Sequence, residues 1–168
     1  RARLVRGRIE MDLDAADASR SLATLDSAFY EAIAIDDPEV AVEARVRAIY
    51  LEAIRPGGSP PSDDDPRLVN ALLQRLPEPS SPKALFLNNA GAIAVTYGDF
   101  ATARRHFDAA LAALEAAPHP PPIQLADTRF NVAVQSADAR AQREGLGAVA
   151  VQYEQLLGPS HLRTLLPQ

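Results

Sequence analysis

The chain has no cysteine and no tryptophan, one methionine, and Lys83 as its sole lysine among 168 residues. Without thiols, neither disulfides nor thiolate metal sites can form. Aromatic residues make up 5% of the sequence against 47% hydrophobic residues overall, so alanine and the aliphatic side chains carry the packing. That balance favours close helix–helix contact over a sandwich of β-branched and aromatic residues. No alternating run of β-branched residues argues for a strand. No apolar run approaches the roughly 18 residues of a membrane span, and no segment has the layout of a signal peptide. These absences predict no membrane contact and a cytoplasmic location. The formal charge of −5 disfavours non-specific nucleic-acid binding. The basic cluster of Arg1, Arg3, Arg6 and Arg8 reads as a solvated helix face.

What is present is alanine and, more surprisingly, fourteen prolines. Eleven of them gather in three segments, 55–66 (RPGGSPPSDDDP), 77–82 (PEPSSP) and 118–122 (PHPPP), and so punctuate helices rather than break them. Eight helices are predicted, near 2–12, 15–35, 38–54, 66–76, 82–97, 99–117, 122–143 and 147–157. The second carries Leu22, Leu25, Phe29 and Ile33 as an amphipathic stripe. Asp37-Pro38, Asp65-Pro66 and Ser81-Pro82 are start signals, with a capping side chain before a proline suited to the first turn. Gly98 stops the fifth helix and Asp99 caps the sixth. Gly145 and Gly147 are expected to separate the last two helices. The expectation is a single all-α domain over 1–168 with hairpins near 1–35, 38–76, 82–117 and 122–157.

Residues 87–110 read LNNAGAIAVTYGDFATARRHFDAA. Small residues at Gly91, Ala94, Ala103 and Ala110 accompany Phe107, around a Gly98-Asp99 turn. This is the layout of two helices packed so closely that only Gly or Ala fits where they cross. The segment resembles a tetratricopeptide repeat (TPR), with Leu87, Gly91, Ala94, Ala103, Phe107 and Ala110 in the motif's places. Equivalent small residues fall at Gly7, Ala48, Gly91 and Ala133, with spacings of 41, 43 and 42. That is longer than the standard repeat of about 34 residues and is similar to the kinesin-light-chain type, as is the junction Leu157-Gly158-Pro159-Ser160-His161. The resemblance implies a right-handed superhelix of about four hairpins that binds a protein or peptide in a concave groove. Such arrays occur in bacterial serine/threonine protein kinases and signalling regulators. The alanine, proline and arginine bias and the initial Arg1 fit a fragment of such a bacterial protein.

Candidate chemistry is sparse. His106, His119 and His161 lack the helical spacing of metal ligands, and His106 is expected to be exposed. Ser62-Asp63-Asp64-Asp65 lacks the alternating oxygens, glycine and terminal glutamate of a calcium loop. Asp65 reads as a helix cap, with the other acids favouring the positive end of the helix dipole. Gly57-Gly58 and Gly145-Leu146-Gly147 follow no strand and precede no P-loop lysine. Kinase signatures and a nucleophile elbow are missing. No enzyme and no cofactor are predicted.

Asparagine is different, because it is a mediocre helix former that prefers caps and turns. Asn88 and Asn89 in one hairpin, and Asn131 in the next, lie in predicted helix interiors. Either each amide satisfies a neighbouring backbone group, or the amides face the groove and hydrogen-bond a peptide backbone. The family resemblance implies the second, with Leu85, Ala92, Val95, Asp127 and Val134 lining the groove beside them. The alternative is a structural or regulatory helical region that binds nothing. Residues 160–168 would begin a further repeat or form a cap. Leu162, Leu165 and Leu166 are expected to pack on the eighth helix or in a second copy of the chain, the latter giving a homodimer.

Overall fold

The computed structural model describes residues 1–13 and 18–165. The protein is all-α, with no strand among the described residues. The helices are α1 (Ala2–Leu13), α2 (Ala18–Ala34), α3 (Pro38–Ile54), α4 (Asp64–Leu73), α5 (Ser81–Thr96), α6 (Phe100–Glu115), α7 (Pro122–Val134), α8 (Ala139–Leu157) and the single turn α9 (Leu162–Leu165). None is long and apolar enough to cross a membrane. Helices pack as consecutive pairs, α1 with α2, α3 with α4, α5 with α6 and α7 with α8. Each pair's second helix also meets the next pair's first, and the first helices meet in the order α1, α3, α5, α7.

Local signals explain most boundaries. Asp37 caps α3 by accepting from the Val40 amide at 3.2 Å, with Pro38 in the first turn. Asp99 does the same for α6, accepting from Thr102 N at 3.0 Å. Between α5 and α6 the chain turns at Gly98 with φ +80°, a conformation that costs glycine little. On α2, Leu25, Ala28, Phe29 and Ala32 are buried, whereas Ile33 is 44% exposed, against expectation. Seven residues bring Ala32 almost two full turns round to Leu25, and Ile33 lies about 100° further.

Other boundaries differ from the sequence reading. Helix α4 begins at Asp64 and ends at Leu73, with Asp63 as a cap residue that makes no side-chain cap bond. Asp65 is not the cap. It pairs with Arg45 of α3 and accepts from Ser62 Oγ at 2.8 Å, because a charge-assisted partner outcompetes a backbone N–H. The chain past α4 closes with tighter bonds, Arg75 N to Leu72 O and Leu76 N to Leu73 O, both 3.0 Å. Ser81 is likewise inside α5, after Ser80. Its hydroxyl donates across to Gln124 Oε1 at 2.7 Å instead of capping.

The largest correction concerns the fourth pair. Helix α7 stops at Val134, and α8 starts at Ala139 and runs through Gly145 and Gly147. Asp138 caps it by accepting from Arg140 N at 2.8 Å, and Gln142 Nε2 covers the Val134 carbonyl at 3.1 Å. Gly145 is there for closeness: a Cβ on it would sit 3.0 Å from Ala133 Cβ. A glycine inside a helix costs roughly 1 kcal/mol relative to alanine, and here it admits the neighbouring helix. The same logic holds at Gly91, where a Cβ would lie 2.6 Å from Phe107 Cε1.

Hydrogen bonds between successive first helices join residues 43 apart. Asn89 Nδ2 donates to Val46 O at 3.5 Å and Asn131 Nδ2 to Asn88 Oδ1 at 3.0 Å, while Gln124 Nε2 returns to Ser81 O at 3.0 Å. Between α3 and α5 this register equals the Ala48–Gly91 spacing, and between α5 and α7 it is one residue longer than the Gly91–Ala133 spacing of 42. At the other end, Leu162 and Leu165 are 71% and 52% exposed and do not pack on α8. Thr164 takes the inward position, its hydroxyl donating to Gly158 O at 2.9 Å. A helix of one turn offers one inward position, and the turn after Gly158 assigns it to Thr164. Leu166 lies outside the described residues.

Candidate functional site: a groove along the first helices

The four first helices line one groove of about 920 Å³. Helix α1 contributes Arg8 and Met11, α3 contributes Glu43, Arg47 and Tyr50, and α5 contributes Leu85, Asn88, Asn89 and Ala92. Gln124, Asp127, Phe130 and Asn131 come from α7. The three- and four-residue spacing on α5 and α7 is that of one helix face. Six of the residues expected from the sequence therefore meet in one place: Leu85, Asn88, Asn89, Ala92, Asp127 and Asn131. Val95 and Val134 do not. The lining ends at Ala92 and Asn131, one turn before either helix ends, and Val134 is 41% exposed at the last turn of α7.

The asparagines divide into two roles. Asn89 is 9% exposed and turns its amide to the Val46 carbonyl of α3. It satisfies a backbone group between helices, so the groove-facing expectation fails for its polar end. Asn88 and Asn131 are half-buried and bonded to each other across α5 and α7. That bond uses one donor and one acceptor. It leaves the Asn88 NH₂ and the Asn131 carbonyl as the complement of a peptide unit.

Charge in the groove is arranged in pairs. Glu43 sits 2.8 Å from Arg47 and 3.6 Å from Arg8, and Arg55 lies at the rim just past α3. Burial pushes the Tyr50 hydroxyl above its ordinary range, so it stays a neutral donor. On the α7 side, Asp127 accepts from the Tyr153 hydroxyl at 2.6 Å and pairs with Arg163 of α9 at 2.9 Å. Burial, then the hydrogen bond to Asp127 and its negative charge, push the Tyr153 hydroxyl far up.

The remaining candidates resolve simply. The N-terminal arginines are neutralised in place: Arg1 by Asp37, Arg3 by Glu31, Arg6 by Glu10, and Arg8 by Glu43. His106 is half-buried rather than exposed. It faces a small apolar cavity of about 210 Å³ formed with Val46, Ile49, Phe86 and Ile93. Burial and then the nearby Arg105 charge lower its pKa. Among the described residues no group of three or more His, Asp or Glu side chains is placed to hold a metal ion.

Gln124, Tyr153 and Arg163 were not singled out by sequence. Gln124 had a usable signal, lying 43 residues after Ser81. Arg163 had none, because its reach depends on the turn through Gly158 and Pro159. Compared with known proteins, the chain matches no protein family, no curated protein and no solved structure.

Proposed function

We propose that the chain is a protein-interaction module that holds an extended peptide segment of a partner in the groove along α1, α3, α5 and α7. The observation that carries this is the Asn88–Asn131 pair, which presents a free amide donor and a free acceptor beside the apolar Leu85 and Ala92. A polar rung beside small apolar patches suits a backbone with alternating side chains better than a compact metabolite. The TPR-like spacing of Gly91, Phe107 and Ala133 supports the same reading, with a right-handed superhelix as its architecture and a bacterial signalling protein as its parent. A second reading, a helical spacer that binds nothing, is favoured by the inward turn of Asn89 and by the occupation of Asp127 from α9.

The two readings separate on a pair of variants. Peptides selected from a displayed random library are titrated calorimetrically into the chain and into Asn88→Ala/Asn131→Ala. Each hydrogen bond lost to a ligand costs about 0.5–1.5 kcal/mol, so affinity is expected to fall about tenfold or more with helicity unchanged. Asn89→Ala should lower stability and leave affinity alone. Undiminished binding in the double variant, or no selectable peptide at all, returns the chain to the spacer reading.

A further inference from the structure

Asp127 is the acidic group of the α7 end of the groove, and the chain itself covers it. Arg163 reaches back 36 residues to place Nη1 3.1 Å from Oδ1 and 2.9 Å from Oδ2, while Tyr153 donates to Oδ1 at 2.6 Å. A single guanidinium nitrogen thus spans both carboxylate oxygens. The stronger arrangement uses two nitrogens in a fork, one for each oxygen. Arg163 holds the carboxylate in the lesser of the two geometries.

The segment that delivers Arg163 is lightly anchored. Helix α9 has four residues, Leu162 and Leu165 stand in solvent, and Thr164 is its buried side chain. Its ties include the Thr164 hydroxyl bond to Gly158 O, short-range bonds through His161 within the turn, and the Asp127 pair itself. Elements with so few buried apolar contacts open at the low end of local stability. A half-buried carboxylate in a groove, held by a displaceable cation and oriented by a tyrosine, displays the chemistry it accepts.

We propose that Asp127, steered by Tyr153, is a subsite for a basic side chain of the bound peptide, and that Arg163 is a built-in stand-in which the ligand's arginine or lysine replaces. This rests on the peptide-binding reading. The opposite end of the groove carries Arg8, Arg47 and Arg55 against Glu43, the one carboxylate among the described residues that line it there. A basic residue is repelled there and accepted over α7. The charge difference therefore sets the direction in which the peptide lies, with its basic residue toward α7 and any acidic residue toward α3.

The test pans one random peptide library against the full chain, Arg163→Ala and Arg163→Ala/Asp127→Asn, each checked for unchanged helicity, and titrates the selected peptides into all three. Peptides from Arg163→Ala are expected to share an arginine or lysine at one position. They should bind that variant about tenfold tighter than the parent chain and lose the advantage when Asp127→Asn is added, consistent with one charge-assisted contact. In parallel, hydrogen exchange at the Thr164 amide should accelerate about tenfold in Arg163→Ala. Equal affinity for parent and Arg163→Ala, a consensus without a basic residue, or a basic preference that survives Asp127→Asn overturns the subsite. Any of these leaves peptide binding itself standing. Absence of binding to every variant overturns both.

Discussion

Helices α3 and α8 have almost the same length, 17 and 19 residues, yet nine side chains of α3 are buried and only Val149 and Tyr153 of α8. Helix α3 lies between α1, α2, α4 and α5, and apolar residues on more than one of its faces are buried against them, with Glu43 and Arg47 left to the groove. The core it anchors includes Leu25, Phe29, Val42, Val46, Val69 and Ile93. The core of the last pair is Ala126, Val149 and Tyr153, with Phe130 and Leu157 at its edge. Polar ties do the rest there. Gln124 and Ser81 exchange bonds, Asn131 holds Asn88, Arg104 reaches the Gln135 carbonyl at 3.2 Å, and Arg129 pairs with Glu115 at 3.2 Å. Such bonds contribute about 0.5–1.5 kcal/mol each, and exposed ion pairs less. One end of the molecule is held by burial, and the other largely by polar contacts.

Truncation gives the sharpest contrast between these ends. Leu25→Ala removes a fully buried side chain and is expected to cost about 2–5 kcal/mol in urea unfolding. Leu157→Ala, at the half-buried edge of the small core, should cost a fraction of that. Equal costs would erase the distinction. Hydrogen exchange addresses it without mutation: amides of α3 should exchange only through global unfolding, and those of α8 through openings about 100-fold more frequent. The reverse order would place the weak end at the wrong terminus.

Close approach between helices is the next test. Gly91→Leu forces a branched side chain against the Phe107 ring and should cost about 1–3 kcal/mol, with Ala103→Leu similar. A melting temperature within a degree of the parent would mean that the crossing is not tight. In the weaker half, Thr128 on α7 is fully buried and its hydroxyl has no partner among the described residues. Thr128→Val keeps the shape and removes that penalty, so it should stabilise by about 1 kcal/mol. A loss of stability would show that the hydroxyl is satisfied.

The smallest effect is electrostatic and touches the strong half. Hydrogen bonds from Thr24 and Arg6 hold the Glu10 carboxyl below its usual range. At Asp65 burial works upward, but bonds from Arg45 and Ser62 and the Arg45 charge outweigh it, and the net shift is down. A carboxylate lowered in the folded state contributes stability that is complete above its unfolded pKa and is lost as pH falls through the folded one. The loss therefore begins near the ordinary values, 4.5 for Glu10 and 3.8 for Asp65, and runs below them. Glu10→Gln should flatten the stability profile between about pH 5 and 3. An unchanged slope would remove Glu10 from the account.

Much of the fold could be read from local signals. Asp37-Pro38 and Gly98-Asp99 mark real boundaries because caps and left-handed turns are decided within a few residues. The α7–α8 boundary could not be read that way. Gly145 looks like a breaker until Ala133 of the neighbouring helix is seen against it. Asp65 and Ser81 looked like caps until Arg45 and Gln124 supplied better partners. In the groove, the repeat spacing paired Asn89 with Asn131, whereas the structure bonds Asn131 to Asn88 and gives the Asn89 amide to the Val46 carbonyl.

What the sequence alone determined is the all-helical class, the punctuation by proline, and a period near 42 residues, since propensity, capping and packing size act at short range or repeat. Tertiary structure decided which partner each of two adjacent asparagines takes, which glycine is a turn and which a contact, and that Arg163 meets Asp127. Each of those depends on where a distant helix arrives, and a hydrogen bond or close contact is settled over about 3 Å in space, however far apart its partners lie along the chain.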